Sequence, residues 1–285
     1  MRRDFHREPC FGSGESVHAV ILVGGKGSRL LPFTKYRPKP LMRLGRYSIL
    51  EIILRRLRAC GFERVTLCTA HLGEMIRAEF GDGRSLGLAI DYCTDDPPTG
   101  TAAPLLLVPD WDSPAVVMNG DVLTALDFAH FQQMHEQSGS VLSVAFQRRE
   151  VPVELGVLQV GDRQVHAMWE KPSLAIDVCS GMYVADPSVR DYIPEGARVD
   201  MPDVIDALLK KSERVNAYGF REEWHDIGTP ATYRNAEREF LANQDYYLFP
   251  REGVEPTVFD RANTAVRPLA TGTNGRPQLS ISLVQ

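Results

Sequence analysis

Residues 17–44 read VHAVILVGGKGSRLLPFTKYRPKPLMRL. An apolar β-type run, Val17 to Val23, passes straight into Gly24-Gly25-Lys26-Gly27-Ser28-Arg29, and Pro38-Lys39-Pro40 follows. The clustered glycines let backbone N–H groups approach an anion with no Cβ in the way and allow a positive φ where it is needed. Lys26, Arg29, Lys35, Arg37 and Lys39 add positive charge, and such side chains grip phosphate oxygens. Glycine content alone would equally describe a solvated turn. The strand before it and the Pro-Lys-Pro after it favour a polyphosphate-handling loop.

Neither common phosphate loop fits. A Walker A loop needs G-x-x-x-x-G-K-[ST], which neither Gly24 nor Gly25 begins. A dinucleotide fingerprint starting at Gly25 finds Gly27 but meets Leu30 where the third glycine belongs.

Working outward, 285 residues with 44% hydrophobic content suit one large or two modest domains with a substantial core. A net charge of -5 gives no overall pull toward nucleic acid or an anionic membrane, so neither is expected as a partner. Cys10, Cys60, Cys68, Cys93 and Cys179 are widely spaced without a C-x-x-C, which argues against a disulfide framework or a zinc site and fits a reducing cytoplasm. The start, MRRDFHREPC, lacks the apolar core of a signal peptide. No run reaches the roughly 18 apolar residues of a membrane span.

Three segments are expected: an extension at 1–16 compatible with disorder, a catalytic domain at 17–243, and a tail at 244–285 without hexapeptide repeats and hence without a β-helix. Ser48-Ile49-Leu50-Glu51 has capping-box form and opens an apolar helical face that ends at Gly61. Strands are expected at 64–69, 88–93 and 115–118, with helices at 71–80 and 128–137 and a short helix at 101–107. Such alternation predicts an α/β fold with a mostly parallel sheet covered by helices on both faces. Strand-like runs from 140 to 184 follow, then a helix at 202–211, a strand at 215–220 and a helix opening with Pro230.

Asp121, in Met118-Asn119-Gly120-Asp121, follows the most apolar strand, at the sheet end where open α/β folds bind ligands. Asp226, in Trp224-His225-Asp226-Ile227-Gly228-Thr229-Pro230, is a second apolar-flanked carboxylate. Two carboxylates with phosphate oxygens suit Mg²⁺. Glu170-Lys171-Pro172 places a carboxylate and an ammonium together, with the proline expected to hold Lys171 extended.

The pieces VGGKGSRLLPFTKYRPKPL, TGTAAPLLL, MNGDVL, EKP, SGMYV and WHDIGTPATY, in this order, resemble the sugar-1-phosphate nucleotidyltransferases, with a motif style similar to the mannose- and heptose-1-phosphate guanylyltransferases. The resemblance implies a Rossmann-like domain of the nucleotide-diphospho-sugar transferase type. In it, Mg²⁺ helps a sugar 1-phosphate attack the α-phosphorus of an NTP and release pyrophosphate. It further implies that Arg29 stabilises the charge on the reacting and leaving phosphates and that Lys39 holds the α-phosphate or sugar phosphate. Asp121 and Asp226 would bind the metal. Val23, Gly24, Gly25, Gly27, Asp96, Gly100 and Thr101 would contact nucleotide. Gly156, Glu170, Lys171, Ser180 and Gly181 would contact the sugar phosphate. No nucleophilic side chain is needed, so His71 and His225 are read as structural.

Two departures bear on specificity. Ala103-Pro104 stands where the family often has Gly-Ala, and Cys179-Ser180-Gly181-Met182-Tyr183 stands where it usually has N-x-G-x-Y. The lost amide suggests an acceptor other than an ordinary hexose phosphate, such as a heptose or another specialised sugar. Asp95-Asp96 before Pro97 could accept paired hydrogen bonds from guanine, which favours GTP. Alternatives are a UTP- or CTP-using sugar enzyme, a transferase for a non-sugar phosphate, and a non-catalytic homologue that binds nucleotide sugars. A homo-oligomer is compatible with all of them.

Overall fold

The computed structural model describes residues 17–250 and the short strands Pro268–Leu269 and Gln278–Leu279. The expected extension at 1–16 and most of the expected tail lie outside the described residues. The described chain forms two compact units, one from residues 17–145, 180–218 and 222–250, the other including residues 146–179 and 219–221.

The sheet strands are β1 (His18–Leu22), β2 (Arg64–Thr69), β3 (Ala89–Thr94), β4 (Ala115–Asn119), β5 (Leu142–Pro152), β6 (Ser173–Ala185) and β7 (Val215–Gly219). Their order is β7-β5-β6-β4-β1-β2-β3. The contiguous set β4-β1-β2-β3 is parallel, and β6 joins β4 antiparallel with Met182 opposite Met118. This is the expected α/β architecture with a mostly parallel sheet. β1 and β4 read as near-continuous apolar runs because both their faces are covered, and Ala19, Val20, Ile21, Val116, Val117 and Met118 are all fully buried.

Helix α1 (Ile49–Ala59) starts where its capping residues dictate: the Ser48 hydroxyl accepts from Glu51 N–H at 3.2 Å. Its buried Ile49, Leu50, Ile53, Leu54 and Leu57 lie on one stripe. Burial of each contributes about 1.5–3 kcal/mol. Helix α2 (Gly73–Phe80) begins two residues later than its pattern predicts, because Leu72 takes a left-handed φ of 61° as N-cap. Residues 103–107 form a 3₁₀ helix, with Pro104 near its start. Helices α3 (Phe128–Ser138), α4 (Met201–Lys210) and α5 (Pro230–Ala242) fall within a residue or so of expectation. A further helix, α6 (Gln244–Leu248), follows at once.

Arg56 on α1 is buried, with no carboxylate paired to it among the described residues. Its guanidinium instead donates to the carbonyls of Ala125, Leu126 (3.1 Å), Tyr246 (2.9 Å) and Phe249 (2.6 Å). A buried cation is costly unless its donors are met, and here main-chain oxygens from two distant segments meet them.

In the second unit, Val157–Gly161 pairs antiparallel with Gln164–Trp169, and Arg148 bonds Asp177 at 2.9 Å. The Glu170-Lys171-Pro172 turn departs from expectation. Lys171 takes φ 45°, not an extended conformation, while the Pro172 carbonyl accepts from Val153 N–H at 2.9 Å. The bias that a proline imposes on its predecessor is overridden by the turn that closes onto Val153.

His18, 3% exposed on β1, shares a 2.9 Å hydrogen bond with Thr66. Burial first, and then the nearby Arg64, hold its imidazole down at about 4 from an ordinary 6.5. The folded chain therefore keeps His18 neutral where the unfolded chain protonates it. Its contribution is complete above pH 6.5 and declines as pH falls toward 4. Urea titrations at pH 7.5 and 4.5 are expected to show wild type losing on the order of 2–3 kcal/mol more stability than His18→Gln over that interval. Equal losses would show that His18 does not stay neutral on folding.

Candidate active site

The register of the sheet places the site. β1 and β4 run side by side with Leu22 opposite Asn119, so the glycine loop after β1 and the Gly120-Asp121 turn after β4 emerge together. Gly120 donates its N–H to the Leu22 carbonyl at 2.9 Å. A Cβ at Gly120 would lie 2.4 Å from a Val23 methyl, so glycine is required there for close approach. Gly27 takes φ 60° against Thr34 and Lys39, and the Thr34 hydroxyl donates to its carbonyl at 2.7 Å. The chain is thereby turned into the 3₁₀ turn Ser28–Leu30 that carries Arg29.

Asp226 arrives by a separate route. The strand Trp224–Asp226 pairs antiparallel with Val122–Thr124, setting Asp226 opposite Val122, and Ile227 N–H donates to the Asp121 carbonyl at 3.1 Å. The two carboxylate-bearing residues expected at a metal are thus neighbours across a strand pair. A Cβ at Gly228 would lie 3.1 Å from an Asp226 carboxylate oxygen and 3.2 Å from an Arg29 nitrogen, so this glycine leaves room for the Arg29 guanidinium beside Asp226.

These elements enclose a cavity of about 570 Å³, in the range that takes small ligands. Val23, Gly24, Gly25, Gly27, Arg29, Lys39, Gly100, Thr101 and Asp121 all line it. Asp226 is exposed beside its Gly228 wall. Lys39, only 8% exposed at its side chain, forms an ion pair with Asp121, which is 28% exposed. The basic cluster does not stay together, however. Lys26, Arg29 and Lys39 line this cavity, whereas Arg37 lines a different one and pairs with Glu79 at 3.4 Å.

Several expected contacts sit elsewhere. Asp96 is exposed and does not line the cavity. The neighbouring Asp95 does, with both carboxylate oxygens engaged by Thr99, at 2.8 Å to its N–H and 2.7 Å to its hydroxyl. Ser180 is 2% exposed and its hydroxyl donates to the Ala145 carbonyl at 2.7 Å, while its own carbonyl accepts from Trp224 Nε1. Gly181 takes φ 72° and abuts Asn119, where a Cβ would meet the amide nitrogen at 2.5 Å. Gly156, Glu170 and Lys171 are exposed residues of the second unit, and a Cβ at Gly156 would lie 3.4 Å from the Glu170 carboxylate.

Arg198 and Asp200 line the cavity and were missed from sequence. Asp200 accepts from the Thr101 N–H at 2.8 Å and forms a capping box with Asp203 at the start of α4. The Asp200-Met201-Pro202-Asp203 pattern was a legible cap, but nothing local linked it to residue 101. Gly100 itself is docked on this segment: it takes φ 118°, and a Cβ would fall 2.2 Å from the Val199 carbonyl oxygen. Among the described residues no group of three or more His, Cys, Asp or Glu side chains is arranged to hold a metal. Asp121 and Asp226 would therefore need phosphate oxygens to complete a Mg²⁺ site.

A glycine-lined cavity at the carboxyl ends of parallel strands, with cations and a pair of neighbouring acidic residues, defines a phosphate-binding α/β protein of the nucleotide-handling class. Residues 18–243 match the nucleotidyl transferase family, and the chain belongs to it. It is 35% identical over 226 residues to a mannose-1-phosphate guanylyltransferase of Mycobacterium tuberculosis, covering 76% of this chain and 62% of that one. It is 30% identical over 273 residues to a UTP–glucose-1-phosphate uridylyltransferase of Synechocystis, covering 87% and 70%. The chain thus spans just under two thirds of the length of the mycobacterial relative. A Bacillus anthracis structure assigned as a glucose-1-phosphate thymidylyltransferase aligns with TM-score 0.64 and 25% identity over 78% of this chain and 95% of that one. HddC from Yersinia pseudotuberculosis shares the fold, with TM-score 0.61 and 21% identity over 79% and 99%. No described helix is long and apolar enough to cross a membrane.

Gly100→Ala is expected to cost on the order of 2–4 kcal/mol, from strain at positive φ plus the clash with Val199. Thermal melting without any ligand measures it. An unchanged midpoint would show that this turn can leave Val199, and would return Gly100 to a purely ligand-facing role.

Proposed function

We propose that the chain transfers a nucleotidyl group from an NTP, GTP being favoured, to a sugar 1-phosphate, giving a nucleotide sugar and pyrophosphate. The observation that carries this reading is the single cavity that joins the glycine loop, Arg29, Lys39 and Asp121, with Asp226 one strand pair away. Each carboxylate lining it already has a partner: Asp95 has Thr99, Asp121 has Lys39 and Asp200 has Thr101. Lys26, Arg29 and Arg198 are exposed around the same space and give it the character of an anion site.

In this reading the backbone N–H groups of Gly24, Gly25 and Gly27 hold the NTP phosphates. Arg29 stabilises charge developing on the leaving pyrophosphate. Lys39 orients the attacked α-phosphate or the incoming sugar phosphate, released for that purpose from its pair with Asp121. Such transfer asks the protein for alignment and charge stabilisation and needs no nucleophilic side chain. Asp121 and Asp226 would hold Mg²⁺, which supplies Lewis-acid neutralisation of phosphate charge when bound. Glu170 and Lys171 are proposed for the sugar hydroxyls and sugar phosphate.

GTP is supported by the 35% identical guanylyltransferase relative, and UTP by the 30% identical uridylyltransferase relative. With both oxygens of Asp95 held by Thr99, the acidic pair before Pro97 adds little to the preference for guanine. The changed Cys179-Ser180-Gly181 segment motivates a heptose or another specialised sugar as acceptor.

Pyrophosphate release from a panel of five NTPs crossed with hexose and heptose 1-phosphates tests the assignment directly. The highest kcat/KM is expected with GTP, and a preference for UTP or CTP would overturn the base assignment. Asp226→Asn is expected to lower kcat by at least about 100-fold with little change in melting temperature, because Asp226 is exposed. Asp121→Asn should match that loss and also destabilise the fold, since it strips buried Lys39 of its ion-pair partner. Wild-type turnover in both variants would remove the metal role from these residues.

A further inference from the structure

Cys68 and Cys93 are register partners on the parallel strands β2 and β3. Neighbouring strands lie about 4.8 Å apart, inside the Cα separation of roughly 4.4–6.8 Å that a disulfide spans. Their sulfurs already lie 3.2 Å apart. Closing to the bonded distance of about 2.05 Å takes roughly 1 Å of side-chain movement. Both are buried, at 2% and 8% exposure, and Cys68 lines the cavity described above, which brings a small solute to one side of the pair. The backbone of Cys68 is tied to the same cavity, its carbonyl accepting the N–H of Val23 at 2.9 Å, immediately before Gly24. By contrast, Cys60 is buried on the α1 cap and Cys179 is exposed in the second unit.

We propose that Cys68 and Cys93 are an oxidative modification site, in which a hydroperoxide converts the two thiols to a disulfide beside the glycine loop. One of the two sulfurs, as thiolate, attacks the peroxide: an S–O bond forms, the O–O bond breaks, and the leaving alkoxide or hydroxide takes up a proton. The other sulfur then attacks the resulting sulfenic sulfur. The S–S bond forms, the S–O bond breaks, and hydroxide departs as water with the second thiol's proton. Two electrons pass from the thiols to one hydroperoxide. The 3.2 Å contact between the sulfurs holds the second thiol within reach of the first. The new bond constrains Cys68, and through its carbonyl the entry to the glycine loop.

The test uses the full chain carrying Cys10→Ser and Cys179→Ser, which leaves Cys60, Cys68 and Cys93. It is treated folded with hydrogen peroxide, then unfolded, alkylated and mapped by mass spectrometry. The expected result is a loss of about 2 Da, with the Cys68 and Cys93 peptides linked, Cys60 alkylated and the change reversed by dithiothreitol. Cys93→Ser and, independently, Cys68→Ala should each abolish the linkage. Recovery of Cys68 and Cys93 as free thiols or as sulfinic acids overturns the proposal. Coupling to the loop rests on the proposed nucleotidyl transfer. The oxidised chain is expected to release pyrophosphate at least about fivefold more slowly, recovering on reduction. Linked peptides with undiminished release overturn the coupling. A reduced chain that releases no pyrophosphate overturns the functional reading and leaves the disulfide result standing.

Discussion

The site depends on two parallel strands ending at the same height. With Leu22 opposite Asn119, the turn after β4 must pass within hydrogen-bond reach of the last residues of β1, and only glycine at 120 allows that approach. A one-residue slip would exchange the two faces of the strand and draw Asp121 away from the loop that carries Arg29. Everything else at the site is set against this junction. Lys39 reaches Asp121, the Trp224–Asp226 strand docks on Val122–Thr124, and Gly228 opens space for the Arg29 guanidinium.

The charges around that junction are arranged unevenly. The acidic side chains that line the cavity, Asp95, Asp121 and Asp200, are held by partners inside the protein, two of them by backbone N–H groups and hydroxyls of the Thr99–Thr101 turn. The basic side chains Lys26, Arg29 and Arg198 are left at the surface of the cavity. A chain with net charge -5 thereby presents a locally cationic recess. Attraction for a polyphosphate therefore lies in which charges are neutralised internally, not in overall composition.

What could be read in advance was what local pattern controls. The β1 run, the Ser48 cap and the apolar stripe of α1 each depend on residues within one turn or one strand, and they fold as their spacing requires. The Asp121 turn was legible because an apolar strand followed by Asn-Gly-Asp has few places to go. Partnerships across long separations were not legible. Gly100 was assigned to ligand contact, yet its φ of 118° answers to Val199, about a hundred positions on, and Asp200 enters the cavity from that same segment. Arg37 was grouped with the phosphate-facing cations because it is close to them in sequence, but its side chain lines a different cavity and pairs with Glu79 instead. Lys171 took a left-handed conformation because closure onto Val153 outweighed the usual effect of the following proline.

Arg56 has a consequence for which residues this folded unit requires. Its guanidinium joins a helix near the start of the chain to the carbonyls of Tyr246 and Phe249, so a polypeptide cut after α5 would leave a buried cation with half its acceptors missing. The partners are neutral backbone oxygens, so added salt should do little to loosen the clasp. Solvation in this sense ties the two stretches together, since a charge planted some 190 residues earlier is met only when these later oxygens have been supplied.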